Sequence, residues 1–239
     1  MSELKYDPSF LDIIRKITAI NNRVVIKRDS DVVRVRAMDS EYGKGFFFYL
    51  AVPAEQFDVA EKISFFDYRE FYDYFKFFNT PSLSYDDVNV SFNEGKVNTR
   101  YRVKTTKAVV NEYPKFDPEK LAPYNVEFTI SKDQIIQLKK MINLQKSKRS
   151  CIEFDGTNII FKVYNDYNDY KLEILPDAIN DAAPFEYTIS SNVLVKFPLD
   201  AEYKFRVKRD IIATVDLMSC DEFKDLSLQL FISQSKEIS

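Results

Sequence analysis

Six basic residues lie in one segment of a chain whose net charge is negative. Segment 132–149 has apolar residues at helical spacing, follows a potential N-cap at Ser131, and contains one acidic residue, Asp133. The 239 residues carry a formal net charge of -3. A basic helix face on such a chain favours binding to a polyanion such as nucleic acid, although a solvated lysine-rich face would give the same pattern. The basic residues are Lys132, Lys139, Lys140, Lys146, Lys148 and Arg149.

Side chains typical of catalysis are scarce. The chain has no histidine, so histidine-based triads and the commonest metal ligand are excluded. Cys151 and Cys220 are isolated, and with 4 glycines no phosphate-binding glycine loop is present. We therefore expect no enzymatic activity, no metal and no cofactor. The alternative is a carboxylate-metal nuclease, for which the candidate ligands are Asp29, Asp31, Asp39, Asp166 and Asp169.

Most of these carboxylates lie in predicted turns, where Asp is favoured for its bonds to the backbone. Hydrophobic residues make up 45% of the chain, which is enough for one large or two medium domains. The two cysteines and the lack of a signal pattern or long apolar run predict a soluble cytoplasmic protein. A β-rich viral structural or interaction protein would explain the aromatic strands but not the basic helix.

The first half of the chain predicts helices and strands in alternation. Residues 1–7 are expected to be a loose start, 8–21 a helix, 23–38 a hairpin and 67–78 a second helix that ends near Pro81. Further strands are predicted at 45–52, 62–66, 88–92, 97–103 and 107–111.

The second half repeats this order of elements. After a proline-containing linker at 112–124 come a strand at 126–130, the basic helix, a hairpin at 151–163 and a short helix from Ser190. Further strands are predicted at 170–175, 185–189, 203–207, 211–217 and 226–232. The repeat predicts an α+β fold with two tandem domains, 1–111 and 125–239. Each would have antiparallel sheet backed by helices on one face.

The repeated order resembles that of DNA polymerase sliding clamps, the processivity factors of DNA replication. The opening FLDIIRKITAINNRVVIK is similar to the start of the trimeric clamps of T-even-type bacteriophages. The segment Ala37–Met38–Asp39–Ser40 is similar to the Ala/Ser-Met-Asp-x-x-His stretch of the wider proliferating cell nuclear antigen family. Tyr42 stands where that stretch has its histidine.

The resemblance implies a homotrimer that closes into a ring, with helices inside and sheets outside. Such a ring encircles double-stranded DNA without sequence specificity and tethers the replicative DNA polymerase. An ATP-dependent clamp loader would be a further partner. The resemblance implies no catalytic residues and no membrane, and a location in the host cell cytoplasm if the protein is viral.

Together, the helical pattern and the resemblance predict which basic residues face DNA. Lys139 and Lys140 come first, followed by Lys132, Lys146, Lys148 and Arg149. Arg15 and Lys16 are expected from the equivalent helix of the first half, and Lys196 from the short second helix. Each lies off the apolar stripe of its helix.

By analogy with clamps, two strands are predicted to join neighbouring subunits, because neither has an obvious hairpin partner. They consist of Thr106, Lys107, Ala108, Val109, Val110 and Asn111, and of Tyr170, Lys171, Leu172, Glu173, Ile174 and Leu175. The resemblance gives Met38, and with it Tyr42, a role in binding a partner's peptide. Composition adds four linker residues as pocket walls: Tyr113, Phe116, Leu121 and Pro123.

Overall fold

The computed structural model describes residues 2–18, 23–38, 46–55, 57–59, 62–86, 88–103, 118–219 and 226–233. The chain divides into two compact units. Unit 1 comprises Met1–Ser40, Phe48–Pro114 and Asp225–Ser227, and unit 2 comprises Glu41–Phe47, Lys115–Lys224 and Leu228–Ser239. Of the predicted linker, residues 112–117 lie outside the described ranges, and Pro118–Leu121 form a 3-10 helix.

Unit 1 contains two helices and nine antiparallel strands among its described residues. In chain order these are β1 (Ser2–Tyr6), α1 (Pro8–Ile17), β2 (Val24–Asp29), β3 (Val32–Met38), most of β4 (Phe46–Pro53), β5 (Phe57–Asp58), β6 (Lys62–Phe65), α2 (Tyr68–Lys76), β7 (Ser82–Tyr85), β8 (Asn89–Glu94) and β9 (Val97–Arg102). The hydrogen-bonded runs are β5-β1-β7-β8-β9 and β4-β3-β2-β6.

Unit 2 has the same elements in the same order. They are β10 (Val126–Ile130), α3 (Lys132–Gln145), β11 (Arg149–Phe154), β12 (Ile159–Tyr164), β13 (Asp169–Ile174), β14 (Ala178–Ile179), β15 (Phe185–Ser190), α4 (Ser191–Val195), β16 (Glu202–Lys208), β17 (Ile212–Ser219) and most of β18 (Ser227–Ser233). The hydrogen-bonded runs are β14-β10-β16-β17-β18 and β13-β12-β11-β15.

The two units are therefore structural repeats, and the predicted α+β fold with antiparallel sheets is confirmed. Both the element order and the order of strand pairing are the same in the two units. The repeat extends to single positions in the core. Leu4 pairs with Leu83 in unit 1, and Phe128 pairs with Phe205 at the same place in unit 2. All four side chains are buried, so different side chains fill the same layer of each core.

Side-chain caps start three of the four described helices. The Asp7 carboxylate accepts from the N–H of Ser9 at 2.7 Å before α1, and Asp67 caps α2 in the same way. Ser131 and Gln134 form a reciprocal capping box at the start of α3. Ile135, Leu138 and Ile142 then form the buried stripe of α3.

The basic helix is shorter than predicted, because α3 ends at Gln145 instead of extending to residue 149. Lys146 adopts the left-handed conformation with φ 51°, which terminates the helix. The hydroxyl of Ser147 then donates to the carbonyls of Arg149 and Tyr164, both at 2.6 Å. Lys146, Lys148 and Arg149 therefore lie beyond the helix, and Arg149 opens β11.

Other elements also differ from the sequence-based predictions. Residues 2–6 are a strand rather than a loose start, because β1 pairs with β7 and β5 on its two sides. The short strands β5, β7 and β14 were not predicted. Helix α1, predicted to extend to residue 21, ends at Ile17, and residues 19–21 lie outside the described ranges. The predicted strand at 107–111 also lies outside them. Within the described ranges, no helix has the length and apolar character needed to cross a bilayer.

Candidate nucleic-acid interface

The two helices of unit 1 pack side by side through polar contacts. The Tyr72 hydroxyl donates to the Asp12 carboxylate at 2.9 Å, and the Tyr68 hydroxyl donates to the carbonyl of Leu11 at 3.2 Å. The Arg69 guanidinium donates to the carbonyl of Thr18 at 3.0 Å, beside the end of α1. These bonds fix the direction of α1, which carries the predicted cations of this unit.

The helices of unit 2 are joined by Lys139. Its ammonium donates to the Asp200 carboxylate at 2.6 Å and to the carbonyl of Phe197 at 3.0 Å, just beyond α4. The Lys139 side chain is only 18% exposed. Lys139, a first choice for DNA contact, therefore has its charge balanced inside unit 2. The sequence could not predict the pairing of Lys139 with Asp200, because the two residues lie 61 positions apart.

The basic residues of α1 and α3 occupy equivalent positions. Counted from the N-caps Asp7 and Ser131, Arg15 matches Lys139 and Lys16 matches Lys140. Lys16 forms an ion pair with Asp12 one turn earlier, with 3.4 Å between the ammonium and the carboxylate. The residue one turn before Lys140 is Ile136. Lys140 is exposed and has no carboxylate one turn before it, so its charge is more available to an external anion than that of Lys16.

The remaining predicted cations lie at or beyond the ends of the two helices of unit 2. Lys132 begins the helix and is exposed, as are the three basic residues that follow the helix, Lys146, Lys148 and Arg149. Lys196 is half-buried at the end of α4. Helix α2 adds little positive charge, since Glu70 and Asp73 are exposed on it.

The described residues give no support to the alternative metal site. They contain no group of three or more carboxylate or thiol side chains placed to hold a metal ion. Asp29 pairs with Arg34 at 3.0 Å and Asp169 with Lys171 at 3.2 Å, while Asp39 lies outside the described ranges. Both pairs are half exposed, as expected of carboxylates in surface hairpins.

The described cysteine has the properties of a core residue. Cys151 is buried in β11, and burial together with a bond to Glu186 raises the pKa of its thiol to about 12. The thiol is therefore protonated at neutral pH, which makes it a weak nucleophile.

Only part of the predicted peptide pocket is described. Met38 is the last residue of β3, and its side chain lies outside the description, as do Tyr42, Tyr113 and Phe116. Leu121 is half-buried in the 3-10 helix. Pro123 is exposed, and its carbonyl accepts from the Lys208 ammonium at 2.6 Å.

Strand β13 is an edge strand, but the prediction that it lacks a hairpin partner is wrong. It has a hairpin partner, because β12 pairs with it through the turn Asn165–Asn168. Its other side has no neighbouring strand in the described part of the chain. Leu175 follows the strand and is exposed, whereas Thr106–Asn111 lie outside the described ranges.

The hairpin register shows which backbone groups of β13 face outward. The N–H of Asn165 donates to the carbonyl of Asn168 at 2.9 Å, so this closing pair is a hydrogen-bonded one. Bonded and non-bonded pairs alternate along an antiparallel ladder. The backbone groups of Tyr170, Leu172 and Ile174 therefore point to β12. Those of Asp169, Lys171 and Glu173 point to the open side.

Solved structures with the same fold cover almost the whole chain. A. fulgidus PCNA, solved with the C-terminal region of FEN-1, has a TM-score of 0.72 at 13% identity over 100% of both chains. Thermococcus kodakaraensis PCNA has a TM-score of 0.68 at 16% identity over 98% of this chain and 99% of its own. A chain of the PCNA2–PCNA3 complex from Sulfolobus tokodaii has a TM-score of 0.70 at 12% identity, with 98% and 99% covered.

The similarity is visible in structure and not in sequence. The sequence matches no protein-family profile and no curated protein. The fold similarity extends over both units and over nearly the full length of each similar structure. The chain therefore has the α+β fold of PCNA-type sliding clamps.

Proposed function

We propose that the chain is the subunit of a sliding clamp that encircles double-stranded DNA and tethers a DNA polymerase. The observation that carries this proposal is the fold similarity to PCNA, a sliding clamp, over 98–100% of the chain. The basic residues of α1 and α3 fit the same function. Lysines on flexible stems contact phosphates without reading bases, which suits a protein that must slide.

The proposed assembly is a closed homotrimer of the kind found in T-even-type phages. The edge of β13 in one subunit would pair with residues 106–111 of the next, continuing the sheet across the contact. The two repeated units of each chain would then give six similar domains around the DNA. As in other clamps, opening such a ring requires an ATP-dependent loader, and the function itself requires no catalytic residue.

The proposed partner site is the peptide pocket around Met38. Met38→Ala should weaken binding of the polymerase's clamp-binding peptide and leave the oligomer intact, because a pliable thioether contributes apolar contact to such a pocket. A titration of labelled peptide, with native mass measured in parallel, checks this. An unchanged affinity would remove Met38 from the site.

The proposed DNA contact is tested by comparing Lys140→Ala with Lys139→Ala. Lys140→Ala should weaken duplex binding for all sequences and flatten the log–log salt dependence by about one unit. Its stability should change by no more than about 0.5 kcal/mol, since it removes an exposed charge. Lys139→Ala should instead cost about 1 kcal/mol of stability, because it breaks the partly exposed bond to Asp200.

Duplex affinity at two salt concentrations and urea unfolding separate these effects. Ile211→Ala serves as the control, because it removes an exposed uncharged side chain from a turn. The control should match the wild type in both assays. If Lys140→Ala matches it too, at both salt concentrations, Lys140 does not contact DNA and serves solvation alone.

A further inference from the structure

An exposed aromatic ring lies beside the basic segment that follows α3. Tyr167, in the β12–β13 turn, is 90% exposed. The amide of Asn165 donates to the carbonyl of Gln145, the last residue of α3, at 2.9 Å. The Ser147 hydroxyl donates to the carbonyl of Tyr164 at 2.6 Å. These two bonds hold the turn against the start of segment 146–149.

The turn itself is fixed by its own hydrogen bonds. The Asn165 side-chain oxygen accepts from the N–H of Tyr167 at 2.9 Å and of Asn168 at 2.8 Å. Asp155 closes the β11–β12 turn with the same pattern of bonds. At 165, however, a carboxylate could accept these bonds but could not donate to Gln145, whereas the amide does both. Tyr167 is thus an exposed ring on a rigid support, which lowers the entropy lost when a ligand binds.

Buried serines hold the backbone of the basic segment 146–149 in place. The hydroxyls of Ser150 and Ser191 are 2.7 Å apart, and the N–H of Ser191 donates to the carbonyl of Lys148 at 3.1 Å. Lys146 and Lys148 extend into solvent from this anchored backbone.

The charge around the turn is positive on balance. Arg149 is exposed and lies opposite Tyr164 in the ladder, so a third cation borders the turn. Of the nearby carboxylates, Asp169 is paired with Lys171 at 3.2 Å, and Asp166 is exposed within the turn. Because the Asp169 carboxylate is paired, Lys146 and Lys148 face only the carboxylate of Asp166 among the described residues of the turn, so the patch favours an anionic ligand.

We propose that Tyr167, Lys146 and Lys148 form a second nucleic-acid contact, one that binds unpaired nucleotides of single-stranded DNA. The bases of a duplex are stacked on one another, so a ring at the tip of a turn can stack only on a base that is unpaired. The lysines would contact the flanking phosphates. The inference rests on the proposed function, because a clamp at a primer–template junction meets both duplex and single-stranded template.

The test measures the anisotropy of a labelled oligothymidylate and of an abasic strand of the same length. Tyr167→Thr removes the ring and keeps the backbone N–H that Asn165 bonds, as Thr157 does for Asp155 in the β11–β12 turn. This variant should bind the oligothymidylate at least about fivefold more weakly and the abasic strand as the wild type does. Tyr167→Phe should stay within about twofold of the wild type, because it keeps the stacking face.

The lysines should give a different signature. Lys146→Ala and Lys148→Ala should each reduce the log–log salt slope by about 0.7 on both strands, whereas Tyr167→Thr should leave the slope unchanged. The matched control is Phe77→Thr, which removes a 79% exposed ring from unit 1 and should have no effect.

The inference is overturned if the wild type does not bind the oligothymidylate, or if Tyr167→Thr binds it as tightly as the wild type. It is also overturned if that variant loses equal affinity for the abasic strand. Failure of the proposed clamp function is a separate result. It would appear as loss of topological retention on duplex DNA by the wild type, whatever the single-strand affinities are.

Discussion

Replacing Lys171 by proline is expected to convert the assembled protein to monomers with an intact fold. The N–H of Lys171 points away from β12, so proline at this position leaves the internal ladder complete. It removes a donor from the middle of the open edge, where the neighbouring subunit would pair. Proline also blocks close approach of a second strand. Native mass by light scattering at micromolar concentration measures the outcome.

Lys171→Ala is the matched control for this prediction, because it removes the side chain and its pairing with Asp169 but retains the backbone donor. It should remain fully assembled, and both variants should show the same circular dichroism. Assembly of Lys171→Pro at wild-type concentrations would show that the β13 edge does not join subunits. Dissociation of both variants would show that side chains, and not strand pairing, hold the contact.

Phe205→Ala is expected to cause a large loss of stability in unit 2, about 3–5 kcal/mol. Phe205 is fully buried and stacks on Phe128 with ring centroids 5.2 Å apart. Its ring is also 6.1 Å from that of Phe197 and 6.4 Å from that of Phe161, measured between centroids. Truncation would leave a cavity that borders β10, β12 and the segment after α4. Urea unfolding at fixed protein concentration measures the change.

Phe205→Leu provides the graded comparison, because unit 1 has leucine at the equivalent position, Leu83. This variant should cost about 1 kcal/mol, since leucine restores most of the apolar volume. Equal losses for the two variants would contradict a cavity-based account. A loss below about 1 kcal/mol for Phe205→Ala would show that the layer collapses around the missing ring.

Local sequence patterns predicted the elements whose stability comes from nearby residues. The apolar spacing of Ile135, Leu138, Met141 and Ile142 predicted the buried face of α3, where all but the half-buried Met141 are buried, and Ser131 predicted its start. Gly95 lies between the predicted strands 88–92 and 97–103, and it adopts φ 59° in the β8–β9 turn. These features depend on residues a few positions apart, which a single sequence displays directly.

Features that depend on distant contacts were not predictable in this way. Strand β1 exists because residues 2–4 pair with 83–85, whereas its own sequence gives only a short alternation of polar and apolar side chains over residues 3–6. The end of α3 depends on the bond from Ser147 to Tyr164, which belongs to another strand. The role of Lys139 depends on Asp200 in the same manner. The sequence could show which residues are basic, but not which of those charges the fold itself neutralises.

Topological retention on duplex DNA tests the central claim most directly. The protein is allowed to thread onto a linear duplex fixed at one end, the free end is then blocked with a bulky group, and the complex is washed at high salt. Ionic contacts to phosphates dissociate under this wash, whereas a closed ring stays linked to the DNA. We expect the protein to be retained until the duplex is cut, and then released. Release by the wash before cutting would contradict the account.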